Sequence, residues 1–184
     1  MIRQAQSKDA PVVFDLLQQI FNDMEIAIMK KHPQQIRCLL EDAFDSPYSR
    51  YNFHNAIVYE YHQQVVGVLV GYFAAEEQAN SNYYYQQASQ YGFGSDFELF
   101  FNQETYPNEW YLDSLAVNPD FQGKQIGTRL IKAIPRFFPA SLISLNVDVD
   151  NPRALKLYHS LGFNAVGQLT IGHHHYHHMQ KLVQ

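Results

Sequence analysis

A single cysteine, Cys38, stands in the whole sequence, so an internal disulfide is excluded and a reducing compartment is expected. In the context IRCLL it reads as a core residue rather than a nucleophile. No apolar run approaches the ~20 residues of a membrane span. The opening stretch MIRQAQSKDAP also lacks the basic-then-apolar pattern of a secretion signal, so a cytoplasmic protein without a membrane partner is expected. Basic residues are in deficit: 13 Lys and Arg against 18 Asp and Glu leave a net charge of −5, which argues against nucleic acid and suits a cationic partner such as an amine. Repeats, linkers and low-complexity segments are missing, apart from a run of histidines near the end.

What is present is an aromatic-rich chain of 184 residues, with 13 Tyr and 13 Phe, long enough for one well-cored domain and short for two. A single domain over 1–184 is expected. Its pivot is VNPDFQGKQIGTRL, Val117 to Leu130, which reads as a strand end, a polar turn and a helix start. Such a turn aims unpaired backbone N–H groups and the positive end of a helix dipole at one point, where an anionic phosphate is a natural guest. Lys124 and Arg129 reinforce that preference.

Taken in order, Ile2 to Gln6 alternates as a short strand, and residues 8 to about 24 carry the helical stripe Val13, Leu16, Leu17, Ile20, Phe21 and Met24. A second helix is expected from Pro33 to about Phe44. Ala56 to Tyr61 and Val65 to Phe73 form a hairpin, in which Gly67 and Gly71 suggest a bulge or the close approach of another group. Residues 75–108 are a polar, tyrosine-rich insertion with a helix around Asn82 to Tyr91, either a plain loop or a wall over a binding site. Trp110 to Val117 and Leu142 to Val149 are strands with the pivotal helix between them, a unit that favours parallel pairing; Pro135 is expected to end or bend that helix near Ile134. A helix from Asn151 and Pro152 ends at Gly162, and Phe163 to Ile171 with Tyr176 to Val183 makes a last hairpin.

Two segments together bring a family into view. Gln122 to Gly127 follows the pattern Q/RxxGxG/A, and NPRALKLYHSLGF matches NxxAxxLYxxxGF at Asn151, Ala154, Leu157, Tyr158, Gly162 and Phe163. In their order and spacing they resemble the GNAT superfamily of N-acetyltransferases. That resemblance implies an α/β (α+β) fold: a central mixed, mostly antiparallel twisted sheet of six to seven strands, flanked by helices, with a parallel pair at an acyl-CoA site. It implies acetyl-CoA as co-substrate, a small-molecule or peptide amine as acceptor, direct attack in a ternary complex, and a monomer or homodimer. The sequence departs from the pattern at one position, where Gln125 replaces the middle glycine. A right-handed helical backbone there would tolerate the side chain, whereas close approach by a pyrophosphate would be obstructed by it.

The resemblance places the pyrophosphate on Gln122, Gly123, Lys124, Gln125, Ile126, Gly127 and Thr128, and the pantetheine arm along Leu115, Ala116 and Val117, with the Leu115 amide facing the oxyanion. Asn151 either bonds that arm or caps its own helix. Tyr158 resembles the family's general acid for the departing thiolate, with a core tyrosine as the plain alternative. For the base, Asp113 is chosen: the two-residue period puts 111, 113 and 115 on one face, so Tyr111 and Asp113 would line the acceptor wall, although a structural carboxylate, or one that orients the substrate while a water carries the proton, is the competing role. His173, His174, His175, His177 and His178 lack framing carboxylates, so a polar, pH-sensitive wall is expected there and no metal. His159 reads as a surface residue. A non-catalytic acyl-CoA-binding module on the same fold is the alternative to an enzyme. The acceptor site is expected between the segment 25–32, the insertion and the last hairpin.

Overall fold

The computed structural model describes residues 1–24 and 26–183. In chain order its elements are β1 (Ile2–Gln4), α1 (Ala10–Asp23), α2 (Ala27–Lys31), α3 (Pro33–Ala43), β2 (Ala56–Tyr61), β3 (Gln64–Phe73) and α4 (Glu77–Gln87). There follow β4 (Trp110–Val117), α5 (Ile126–Phe137), β5 (Leu142–Asp148), α6 (Pro152–Ser160), β6 (Asn164–Ile171) and β7 (His174–Leu182). The strands form one seven-stranded sheet in the order β1-β2-β3-β4-β5-β7-β6. Every pairing is antiparallel except β4 with β5.

Each face of the sheet is covered by apolar stripes read at the proper period. Val13 and Leu17 of α1 and Leu39 and Leu40 of α3 pack with Val58, Val68 and Val70 on one side. Leu130, Ile131 and Ile134 of α5 pack with Ile57, Leu69, Leu112 and Ile143 on the other. Burying each such side chain stabilises the fold by about 1.5–3 kcal/mol. The strand glycines are sites of close approach: a Cβ on Gly71 would lie 2.3 Å from the Trp110 ring, and one on Gly67 would lie 2.9 Å from Ile126.

Three local expectations are corrected. The helix of the insertion starts at Glu77, ahead of Asn82, because the buried Glu77 carboxylate fixes that end by accepting from the Glu104 amide at 2.7 Å and the Thr105 hydroxyl at 2.8 Å. Helix α5 runs through Pro135 to Phe137 and is closed by the Phe138 amide on the Ile134 carbonyl. A proline this near the end costs little of the hydrogen-bond ladder, so the helix does not end at Ile134. Cys38 is exposed: Ile36, Leu39 and Leu40 form the inward stripe of α3, and Cys38 falls between them on the outer side. Glu25, at the start of the segment expected to border the acceptor, lies outside the described residues; the rest of that segment contains α2, with Met29 buried.

Candidate active site

The sheet opens where its one parallel pair ends. β4 and β5 pair at Trp110 with Ile143, Tyr111 with Ser144 and Leu112 with Leu145, and beyond these residues both strands continue without pairing to each other. The parting follows a bulge in β4. Opposite β3, Ser114 faces Val70 and Leu112 faces Gly71, which leaves Asp113 as the extra residue. The bulge resets the alternation, so Leu112, Leu115 and Val117 belong to the α5 side of the sheet. Tyr111 and Asp113 instead bond to Glu104 and to Arg50. The expectation that residue 115 shares their face is thereby corrected.

The pivotal turn lies beside this opening. A Cβ on Gly127 would stand 3.5 Å from Leu115 and 3.9 Å from Val117, which brings the first turn of α5 against the free end of β4. Among the described residues no hydrogen bond engages the backbone amides of residues 123–128, and the first amide of this stretch to find a partner is that of Arg129, on the Gln125 carbonyl at 3.0 Å. Free amides at a helix start suit an anion. Gly123 is left-handed with open space around it. Gln125 is also left-handed, at φ 61° and ψ 19°, with its side chain exposed. The backbone is therefore not yet right-handed helix at Gln125, and the conformation that glycine adopts freely is taken by glutamine without its side chain entering the turn. Lys124 folds back over the Phe121 ring at 4.5 Å, and Arg129 reaches the Tyr59 hydroxyl at 3.3 Å.

Asn151 caps α6, its side chain accepting from the Ala154 amide at 3.0 Å. Tyr158 packs edge-on to Phe163, and among the described residues its hydroxyl has no hydrogen-bond partner. Burial pushes that phenol up to about 12, so it stays protonated through the neutral range.

On the α1 side of the sheet lies a buried polar network that no local pattern announces. Arg50 is 1% exposed and donates to Glu104 at 3.2 Å and to Asp113 at 3.1 Å, with its guanidinium over the rings of Phe100 and Tyr72. Asp113 also accepts from the Tyr51 hydroxyl at 2.8 Å and the Ser114 hydroxyl at 2.7 Å. Glu104 accepts from the Tyr111 hydroxyl at 2.9 Å, and Asn146 on β5 donates to that hydroxyl at 3.1 Å and to the Glu104 carbonyl at 2.9 Å. Burial raises the Glu104 carboxyl above its ordinary range, with Arg50 pulling back against it and Asp113 adding to it. Beyond Asn146 the network continues to fully buried His178, 2.7 Å away, and thence to Glu109 at 3.1 Å.

Two cavities adjoin the insertion. The larger, about 670 Å³, is lined only by residues 74–108. The other, about 440 Å³, is lined by Ile26 and Ile28, Phe100 and Phe101, and Ile171 and Tyr176, which come from the three segments between which an acceptor site is expected. Glu104 lines this cavity, and Tyr111 and Asp113 are not among its lining residues. The physical reason is the ion pair with Arg50 and the hydrogen bonds from Tyr51 and Ser114, which hold the Asp113 carboxylate within the network.

The histidines do not act as a group. His173 and His174 border the cavity, His174 lies 3.4 Å from Asp148, and His175 meets the Thr170 hydroxyl at 3.1 Å. Among the described residues no three His, Cys, Asp or Glu side chains are placed to hold a metal ion. His159 is exposed, with a ring nitrogen 3.1 Å from the Phe163 carbonyl.

A mixed sheet whose single parallel pair parts beside a turn of free amides defines an acyl-transfer type of α/β protein. The chain belongs to the acetyltransferase (GNAT) family, whose sequence pattern matches residues 16–163. It is 40% identical over 63 residues to the N-alpha-acetyltransferase RimI of Mycobacterium tuberculosis, a match covering 34% of this chain and 40% of that one. A crystal structure of an acetyltransferase superposes over 100% of both chains at 38% identity, with a TM-score of 0.88. An N-acetyltransferase from Staphylococcus aureus Mu50 superposes over 98% of this chain and 100% of its own at 27% identity, with a TM-score of 0.84.

Proposed function

We propose that the protein transfers an acetyl group from acetyl-CoA to a primary amine by direct attack in a ternary complex. The observation that carries this reading is the parting of β4 from β5 after Leu112 and Leu145, directly beside the unbonded amides of residues 123–128. Those amides, with Gly123 and Gly127 leaving room, fit a pyrophosphate, and the unpaired edge at Leu115, Ala116 and Val117 fits the amide-bearing pantetheine arm. The side-chain oxygen of Asn151 is committed to the α6 cap, which leaves its amide group for the same arm. Bound acetyl-CoA supplies the acyl group as a thioester.

The chain's own residues then manage two protons. An amine arrives as ammonium and must lose one proton to become a nucleophile; Glu104, lining the cavity with lone pairs left over by Arg50 and Tyr111, accepts it. Asp113, the base expected from sequence, serves in this reading to fix Arg50 and, through it, Glu104. As the N–C bond forms and the C–S bond breaks, nitrogen gives its second proton to water, sulfur takes one from the Tyr158 hydroxyl, which has no partner among the described residues, and water returns a proton to the tyrosinate while Glu104 releases its own to solvent. The backbone amide of Leu115 is the proposed donor to the carbonyl oxygen during attack. The reaction belongs in a cytoplasmic setting, where a lone thiol such as Cys38 stays reduced.

Initial-rate kinetics with acetyl-CoA and a panel of amines, read as thiol release, test this. Intersecting double-reciprocal lines are expected. Parallel lines would exclude direct attack, and CoA binding without thiol release from any amine would leave the non-catalytic acyl-CoA module in its place.

A further inference from the structure

The cavity that Glu104 lines is not neutral ground. Arg50 is the one buried cation in the described network and it is shared by two buried carboxylates, those of Glu104 and Asp113. With both ionised, the cluster carries one negative charge more than Arg50 compensates. A third buried carboxylate, Glu77, stands one hydrogen bond away on the Glu104 amide. An uncompensated charge out of water is costly unless a counter-charge comes to it. Of this cluster, Glu104 alone borders the cavity, so the counter-charge is to be supplied from there.

The mouth has the same sign. Asp96 and Glu98 are exposed there, and Lys31 is the single ammonium among the described lining residues. Three carboxylates against one ammonium draw in a cation. The remaining lining combines hydrocarbon and ring faces, from Ile26, Ile28, Phe100, Phe101 and Ile171, with the polar side chains of Asn102, His173, His174 and Tyr176. A volume of about 440 Å³ holds a small organic molecule and leaves little space for a folded partner.

We propose that the acceptor is a primary amine carried on an apolar body, an alkylamine or arylalkylamine, seated with its ammonium at Glu104 and its hydrocarbon between Ile28, Phe100, Phe101 and Ile171. This rests on the acetyl-transfer reading and adds the substrate class. The apolar walls discriminate against an acceptor whose further charged or polar groups fall between Glu104 and the mouth.

The test compares kcat/KM for phenylethylamine and hexylamine with that for spermidine, lysine methylamide and a short peptide with a free N-terminus, using acetyl-CoA and the full chain. The apolar amines are expected to lead by about tenfold or more, the scale of one well-buried apolar group. Phe101→Ser, at a side chain 63% exposed and outside the packed core, is expected to narrow that lead with the CoA Kd unchanged. A lead for spermidine or for the peptides overturns the substrate class and leaves acetyl transfer standing. Should no amine release thiol, acetyl transfer falls, and calorimetry decides the amine site by itself. Phenylethylamine binding that weakens about tenfold in Glu104→Gln upholds the site, as the loss of one charged partner requires. No binding to the unaltered protein overturns it.

Discussion

One guanidinium joins two carboxylates contributed by distant parts of the chain: Arg50 Nη1 lies 3.2 Å from Glu104 and 3.1 Å from Asp113, with all three side chains buried. The ion pairs tie the loop after α3 to the insertion and to the bulge of β4. They fix where the cavity floor stands relative to the parted strands, and they give the cluster its surplus negative charge. Removing the cation leaves two buried carboxylates with no partner of opposite sign. Arg50→Met is therefore expected to cost about 3–5 kcal/mol, the usual penalty for breaking a buried pair by deleting one member. In a chain of this size that lowers Tm by roughly 10 °C. Calorimetric melting decides it, and an unchanged Tm would show that the carboxylates are protonated or hydrated in the native state.

Tyr158 makes a narrower prediction because, among the described residues, its hydroxyl has no partner to lose. Tyr158→Phe is expected to lower kcat about 10²–10⁴-fold, the span of a positioned general acid, with the CoA Kd and Tm nearly constant. The pH dependence follows from the phenol's raised pKa of about 12. A donor must be protonated, so no alkaline fall in rate from this group is expected around pH 10, where an ordinary tyrosine ionises. A rate that falls there in the native protein and not in the Phe variant would contradict the assignment.

Glu104 predicts the opposite limb. The base must be ionised, so the rate falls as pH drops through its pKa, and burial places that fall above the ordinary carboxylate value of 4.5. Glu104→Gln should remove this acid limb and reduce kcat/KM by about 10²-fold or more. Stability runs the other way. A carboxyl whose folded pKa is raised contributes stability while protonated and loses it as pH rises through that pKa, so the Gln variant is expected to match or exceed the native Tm at neutral pH. A large loss of Tm would assign Glu104 a structural role instead.

The contrast between Tyr158 and Glu104 marks what can be read from one sequence. Tyr158, Asn151 and the turn at Gln122 to Thr128 sit in short segments whose meaning is local: a cap, a helix face, a run of unpaired amides. The strands and most helices were legible for the same reason, from periods of two and of 3.6. Glu104 and Arg50 were not, because a buried ion pair is defined by partners 54 residues apart that no window contains. Asn146 and His178 join the same network across strands for the same reason. The bulge at Asp113 escaped because an extra residue appears only against the register of β3, and it turned a regular alternation into a misplaced wall. Helix α4 has no apolar stripe to betray its start, which is held by Glu77 from the far end of the insertion.

Gln125 tests the pivotal turn itself. Its left-handed backbone, φ 61° and ψ 19°, is one that a side chain disfavours by roughly 1–2 kcal/mol, while glycine adopts it freely. Glycine also has more unfolded-state entropy to lose, on the order of 0.5–1 kcal/mol, which offsets part of the gain. Gln125→Gly is therefore expected to raise stability by at most about 1 kcal/mol, and Gln125→Val to lower it, since a β-branched side chain fits this conformation least well. Because the glutamine side chain is exposed and the amides of residues 123–128 have no other partners among the described residues, the Gly variant should bind CoA with an affinity within about threefold of the native value. Denaturant melts and calorimetry on the pair measure both quantities. Much tighter CoA binding in Gln125→Gly would mean that the glutamine obstructs the pyrophosphate after all, and that the turn is a cradle weakened at its centre.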